Sequence, residues 1–306
     1  MTPGEFERHR PMLTGLAYRM LGSWHDAEDV VQEAYVRWSR IDQDEVAEPR
    51  RYLTRVVTRL ALDELRSRQA KRESYVGEWL PEPVATGLPP FEAIDTSDLS
   101  LALLHMMERL TPPQRAVYVL RTAFGLPHDE IASIIDRSPE DCRQLFRRAE
   151  RALADQKPRF EPSAREQRLL LREFVAAARD GDLPRLERLL HADVVAWSDG
   201  GGRARAARKP VVGRAMVARF FGHIYSRATS ISVDEVQANG IPAVFVQLSG
   251  DRSRHLLTAE LDGDVVTRIL VITNPDKLSH VRPSSVETSL DFDAIVRAEL
   301  EQDDSE

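Results

Sequence analysis

Residues 129–153 read DEIASIIDRSPEDCRQLFRRAERAL, and this stretch decides how the first half of the chain is organised. Asp129-Glu130-Ile131-Ala132 opens a short helix, and Ile134-Ile135-Asp136-Arg137-Ser138 supplies a turn. Pro139-Glu140-Asp141 opens a second helix with proline in its first turn and carboxylates where the helix dipole favours them. Arg143, Gln144, Arg147, Arg148 and Arg151 then recur at three- and four-residue spacing, which puts them on adjoining faces of that helix. The pattern is a helix-turn-helix. Its second helix can enter a major groove, with Arg and Gln reading base edges and the outer Arg residues neutralising phosphates. A solvated basic helix in an α-bundle is the competing reading of the same residues.

Helical periodicity extends on both sides, over 97–159. Leu99, Leu103, Met106, Met107 and Leu110 form a stripe, Thr111-Pro112-Pro113 restarts the helix, and Gly125-Leu126-Pro127 breaks it. A second helical module occupies 1–72. Phe6 to Leu21 is amphipathic and ends at Gly22. Ala27, Val30, Val31, Ala34, Tyr35 and Trp38 form the core stripe of the next helix. After Pro49, Leu53, Val56, Val57, Leu60, Ala61 and Leu65 do the same for a third. Arg51, Arg55 and Arg59 lie one turn apart on it, with Tyr52 beside them and Arg66, Arg68, Lys71 and Arg72 beyond. Such a face suits backbone tracking and base stacking on single-stranded DNA, and equally a solubilising surface.

Between the modules, residues 73–96 hold four prolines and two glycines and read as a linker. Trp79, Leu80, Leu88 and Phe91 are too apolar for free solvent, so the linker is expected to lie against something. After Pro162 the pattern changes. Helices over 165–179, 184–190 and 216–225 accompany β-type runs over 194–197, 230–237, 243–249, 255–261 and 265–273, giving an α+β domain over 163–280 whose strands read as a meander. An acidic tail occupies 281–306.

The chain has 306 residues and a net charge of −7, which suits a soluble chain of two to three domains. That acidity weighs little against nucleic-acid binding, because it is unevenly spread. Residues 26–48 carry −6, 50–72 carry +6, and 287–306 alone carry −7. No apolar run approaches the roughly 20 residues of a membrane span, and the N-terminus lacks an export-signal core, so a cytoplasmic protein without membrane contact is expected. The single cysteine, Cys142, excludes an internal disulfide and a multi-cysteine zinc site and reads as packing. None of the motifs requires a metal or cofactor.

AEDVVQEAYVRW (27–38) is similar to the polymerase-clamp-binding helix of extracytoplasmic-function sigma factors, RRYLTRVVTRLALDELRSR (50–68) resembles their promoter-melting helix, and residues 110–153 resemble their region-4 module. The resemblance implies partners: RNA polymerase core, through its β′ clamp and β flap, and promoter DNA at the −10 and −35 elements. It assigns Asp26, Asp29, Gln32, Glu33, Arg37 and Trp38 to the clamp. Arg51, Tyr52, Arg55, Arg59 and Arg66 fall to the −10 element, and Arg143, Gln144, Arg147, Arg148 and Arg151 to the −35 element. The C-terminal domain looks like a SnoaL-type cone, the fold shared with small polyketide cyclases and ketosteroid isomerase. The expected architecture is thus two all-α sigma modules, the second with the helix-turn-helix, plus an α+β cone.

One group of these sigma factors carries such a fused domain in place of a separate anti-sigma partner. Three strings resemble that group's signatures: Trp79-Leu80-Pro81-Glu82-Pro83, Asp199-Gly200-Gly201-Gly202-Arg203 and Asn274-Pro275-Asp276-Lys277-Leu278. Lys is more usual than Arg at 203. Physically, Asp199–Arg203 can turn sharply while exposing amides and one cation to an anion or a facing peptide, although a plain hairpin would do the same. The linker is expected to pack on the cone near these strings, regulating the sigma modules in cis, with Glu82 pairing with Arg203. The alternative function is an isomerase-like enzyme, or a ligand-binding regulator, with a DNA-binding appendage. Asp199, His223, Tyr225 and His255 are then the proton-transfer candidates, although nothing in the sequence makes them converge. The cone also leaves room for a small ligand.

Overall fold

Gly22, at φ 66°, closes the first helix, α1 (Gly4–Leu21), by donating its N–H to the Tyr18 carbonyl at 2.7 Å. Ser23 caps α2 (Trp24–Trp38), its hydroxyl accepting from the Asp26 amide. Pro49 starts α3 (Pro49–Arg72). After the linker come α4 (Leu101–Met107), α5 (Pro112–Thr122), α6 (His128–Ile135) and α7 (Pro139–Ala154). The computed structural model describes residues 4–72, 75–85, 99–154, 163–228, 230–249 and 254–281. The acidic tail beyond Val281, and Leu88 and Phe91 of the linker, lie outside the described residues.

The chain divides into two units, Met1–Tyr75 with Pro81–Lys157 and Val76–Leu80 with Pro158–Glu306. The segment expected to be one linker therefore changes unit between Leu80 and Pro81. In the first unit the two helical modules share a single core, in which Leu16, Val31 and Leu53 of one lie in the same cluster as Met107, Val117 and Ile131 of the other. Arg115 of α5, 2% exposed, donates from Nε to the Arg19 carbonyl of α1 at 3.2 Å and pairs with Glu108. A guanidinium at that depth must be paired, so this contact fixes α5 on α1. In the helix-turn-helix, Asp136 takes φ 54° to end α6, and Cys142 is buried in α7.

The second unit opens with α8 (Ala164–Asp180), held by a capping box between Ser163 and Glu166 and ended by Gly181 at φ 68°. Then follow α9 (Leu183–Leu189), β1 (Leu190–Asp199), β2 (Val211–Val212), α10 (Arg214–Tyr225), β3 (Ile231–Ala238), β4 (Ile241–Leu248), β5 (Arg254–Asp262) and β6 (Val265–Ile272), with a 3₁₀ turn over Pro275–Leu278. The six-stranded sheet has the order β2-β1-β6-β5-β4-β3. Strands β3 to β6 form the expected antiparallel meander. However, β1 is longer than its apolar run, and it joins parallel to β6, with Ser198 opposite Val271 and Asp199 opposite Ile272. A parallel pair needs a long crossover, which the chain from β2 to β5 provides. Its consequence is positional, because the two strands end side by side and both signature strings leave the same end of the sheet. Helices α8 and α10 cover one face through Phe174 and Phe221, whose rings meet edge-on at 5.0 Å.

Within the first unit, Glu82 is 2% exposed and caps α2 from outside. Its carboxylate accepts the Trp24 amide at 2.9 Å and lies 2.8 Å from Nδ1 of His25. Its own N–H donates to the Gly22 carbonyl at 2.8 Å, and its carbonyl accepts the Tyr18 hydroxyl at 2.5 Å. An anion at a helix N-terminus is favoured, and removing it orphans buried donors. Glu82→Ala is expected to destabilise the first unit by about 1–3 kcal/mol in urea unfolding, while His25→Ala, at the exposed end of the pair, costs less. Equal stability of Glu82→Ala and the parent would contradict the capping role.

Candidate functional site

The second helix of the helix-turn-helix presents its basic residues outward. Arg143, Gln144, Arg147, Arg148 and Arg151 are all exposed, while Cys142, Ala149 and Leu153 bury the opposite side. Arg143 donates from Nη2 to Glu140 at 2.9 Å, and that bond holds the Glu140 carboxyl below the usual carboxylate range. This face is rich in arginine and carries a glutamine, residue types that read base edges in a groove.

The basic helix α3 is more engaged than its sequence suggests. Arg55 is exposed, but Arg59 donates from Nη2 to both carboxylate oxygens of Asp136 at 2.6 Å and from Nε to the Ile134 carbonyl at 3.0 Å. Arg51 Nε lies 3.3 Å from Glu130. The C-terminal end of α6 thus sits on this face, its carbonyl and carboxylate attracting the guanidinium. Arg66 is exposed and pairs with Asp63 at 3.0 Å. Tyr52 is half-buried, with its ring 5.8 Å from that of Trp38.

On α2, Asp29, Gln32, Glu33 and Arg37 are exposed, with Arg37 Nε 2.9 Å from Glu33. Trp38 is a correction, since it is 2% exposed and belongs to the core stripe that begins at Ala27. Burying an indole is worth more than leaving it on the surface, so it supports α2 from within rather than offering a contact. Asp26 is half-buried and pairs with Arg68, which also donates to the Leu21 carbonyl at 2.9 Å, so Asp26 ties α2 to α3.

In the second unit the ends of β1 and β6 form a buried polar cluster. Asp199 is 0% and Lys277 9% exposed, with Nζ 2.7 Å from Oδ2. The same oxygen accepts the Leu80 amide at 2.8 Å, Oδ1 accepts the Gly201 amide at 2.9 Å, and Lys277 also donates to the Leu80 carbonyl. Lys277 Nζ stands 4.0 Å from the centre of the Trp79 ring, a cation–π contact. Residues 76–80 are therefore held by both ends of a short backbone segment and by one indole face. Gly201 must be glycine on two grounds: φ is 57°, and a Cβ would stand 2.3 Å from the Asn274 side-chain nitrogen. Asn274 in turn accepts the Asp276 amide at 3.1 Å. Within its own unit each of Glu82 and Arg203 has an ion partner. Arg203 meets Asp276 at 2.8 Å, and Glu82 meets His25. Sequence reading named all three strings but missed that Asp199 and Lys277 would neutralise each other, because the parallel β1–β6 pairing that joins them leaves no local signal.

Of the four proton-transfer candidates, Asp199 is committed to this cluster. Tyr225 and His255 are both buried, with the hydroxyl 2.6 Å from Nε2. Burial pushes the Tyr225 hydroxyl up, so it stays protonated. His223 is exposed, 3.0 Å from Arg227.

The chain matches the Sigma-70 region 2 family over residues 6–71, the Sigma-70, region 4 family over residues 100–153 and the SnoaL-like domain family over residues 171–269. It is 41% identical over 228 residues to the ECF RNA polymerase sigma factor SigJ of Mycobacterium tuberculosis, covering 72% of each chain. It is 31% identical over 280 residues to the probable ECF RNA polymerase sigma factor SigI of the same organism, covering 90% of this chain and 93% of that one. The crystal structure of M. tuberculosis SigJ superposes with a TM-score of 0.75 at 32% identity, over 92% of this chain and 100% of the other.

Removing one partner of a buried ion pair leaves an uncompensated charge and costs about 3–5 kcal/mol. Asp199→Asn or Lys277→Met is therefore expected to speed hydrogen exchange at the Leu80 amide by roughly 100-fold or more, read by mass spectrometry on peptides spanning 76–84. The double variant Asp199→Asn/Lys277→Met recovers much of the protection, because no lone charge stays buried. Unchanged exchange in both single variants would overturn the anchor.

Proposed function

Since the chain belongs to the extracytoplasmic-function RNA polymerase sigma factors, we propose that α7 reads the −35 element, α3 contacts and opens the −10 element, and the exposed face of α2 binds the β′ clamp of polymerase. The observation that carries this reading is the exposed side of α7, on which Arg143, Gln144, Arg147, Arg148 and Arg151 all stand clear of the core. Region 4, the 100–153 module, takes the β flap. The residues proposed for the clamp are Asp29, Gln32, Glu33 and Arg37, while Asp26 and Trp38 brace the helix that carries them.

Arg59 cannot serve DNA and Asp136 together. The free protein therefore holds its melting helix against region 4, and polymerase and promoter must exchange protein carboxylates for phosphates. The pair is shallow, with side chains 38% and 73% exposed, so the exchange is inexpensive. Control in cis rests on chain connectivity. Trp79 and Leu80 are held by the SnoaL-like domain, and Glu82, two residues on, by the corner between α1 and α2. No separate anti-sigma protein is required for such control. The protein works where polymerase works, in the cytoplasm, and among the described residues no helix is long and apolar enough to cross a membrane.

Two sets of variants test the assignment. Arg143→Ala and Gln144→Ala, early in α7, are each expected to change −35 base preference, at roughly 1–3 kcal/mol per lost bidentate contact. Arg151→Ala weakens binding evenly across sequences, and identical preferences in all three would refute the division of roles. Asp136→Asn keeps a residue tolerant of φ 54° but removes the carboxylate. Permanganate reactivity of the −10 bases at limiting holoenzyme is expected to rise, by at most about fivefold, because the pair is worth about 0–1 kcal/mol. A fall would mean that Arg59 needs Asp136 to act.

A further inference from the structure

Between α10 and the open end of the sheet, the second unit encloses a cavity of about 500 Å³. Phe220, Phe221, Ile224, Leu248 and Val271 supply its apolar walls, and Tyr225 and His255 stand in it as a buried hydrogen-bonded pair. The charged residues among its lining are of one sign. Arg205 and Arg227 are exposed side chains at its rim, and no Asp or Glu among the described residues lines it. Arg227 Nη1 lies 3.0 Å from Nε2 of the neighbouring His223, and a guanidinium can only donate in such a contact.

These features select a ligand. The volume lies within the roughly 300–1,000 Å³ of small-molecule sites, and the walls favour an apolar body. Two arginines with no carboxylate in the lining among the described residues favour a planar anion, which a guanidinium fork meets with paired hydrogen bonds. The Tyr225 hydroxyl shares one hydrogen bond with Nε2 of His255, in a direction that the imidazole tautomer sets, and in either direction the phenol oxygen keeps a lone pair for a second donor. It can therefore receive a hydroxyl at the ligand's far end. Two rim cations and a hydrogen-bonded dyad are of no use to a merely hydrophobic void, whose lining would be apolar throughout.

We propose that this cavity is a binding site for a small amphipathic organic monoanion. Its carboxylate lies on Arg205 and Arg227, its aromatic or short aliphatic body lies between α10 and the sheet, and a hydroxyl at the far end reaches Tyr225. This goes beyond the sigma-factor reading and does not depend on it.

The test is calorimetric titration of the full chain with three probes: naphthalene-2-carboxylate, 6-hydroxynaphthalene-2-carboxylate and the neutral naphthalene-2-carboxamide. Both acids are expected to bind with Kd below about 1 mM, and the amide at least about tenfold more weakly. The double variant Arg205→Gln/Arg227→Gln brings the acids to the level of the amide. Tyr225→Phe removes the advantage of the hydroxy acid over the plain acid, while Ala228→Trp, at the lining, blocks all three. Equal affinity for acid and amide, acid binding indifferent to the double Gln variant, or no binding of either acid to a chain with intact circular dichroism would overturn the proposal. Promoter-directed transcription is not a readout here, so failure would leave the sigma-factor assignment standing.

Discussion

A carboxylate with no exposed surface is tolerated only if its charge and its lone pairs are met within the fold, and Asp199 meets that demand with an ammonium and two amides. The consequence runs in two directions. Inward, Lys277 and Asp199 lock together the ends of β6 and β1, the parallel pair on which the sheet order turns. Outward, one of the two amides belongs to Leu80, so a segment distant in sequence completes the electrostatic shell of the sheet's own ion pair. Taking Leu80 away would strip a hydrogen bond from a buried charge, a heavier loss than the apolar area of one leucine. The grip on residues 76–80 is thus part of how this domain balances its charge.

The ionic contacts of the first unit follow the same rule at different depths. Arg115 is buried to 2% and joins α5 to α1, so separating those helices would leave a guanidinium in an apolar core. Arg59 makes more hydrogen bonds, yet its partner is mostly solvated. Solvent screening makes the second contact reversible and the first structural. Depth separates them, not bond count. On the proposed reading, in which α3 meets DNA, the deep ionic contact of Arg115 lies away from that face and the shallow one of Arg59 lies upon it.

Much of this was legible in the residues. The stripes of α1, α2 and α3, the turn at Asp136 and the meander from β3 to β6 follow from spacing and turn chemistry, which are local. Trp38 shows where local reading strains, because one helix position satisfied both the core stripe and the surface motif, and only packing could choose. The pairing of β1 with β6 was illegible for a different reason. Its partners lie about seventy residues apart, and parallel pairing carries no turn signal. The roles of Asp199 and Lys277 depend on that pairing, so the strings were visible as motifs while their chemistry was not. The cap that Glu82 makes was hidden for a related reason. Its charge invited a cationic partner, yet the helix N-terminus at Trp24 offers amides already aimed and already short of acceptors.

The arrangement of the Trp79–Pro83 string follows from these points. Leu80 completes the Asp199 shell and Glu82 the cap of α2, with only Pro81 between them, and proline fixes φ near −65°. The cavity adds a second input at the same place. Its lining includes Ser198 and Thr273, the residues next to Asp199 and Asn274, and Thr273 donates from its hydroxyl and from its amide to the Asp199 carbonyl at 2.9 and 2.8 Å. A ligand that moved either strand end would alter the geometry that receives the Leu80 amide. By linkage, release of Leu80 would alter the ligand's affinity by the same factor. Ligand, buried ion pair and linker would then form one thermodynamic system, because all three are built on the ends of two parallel strands.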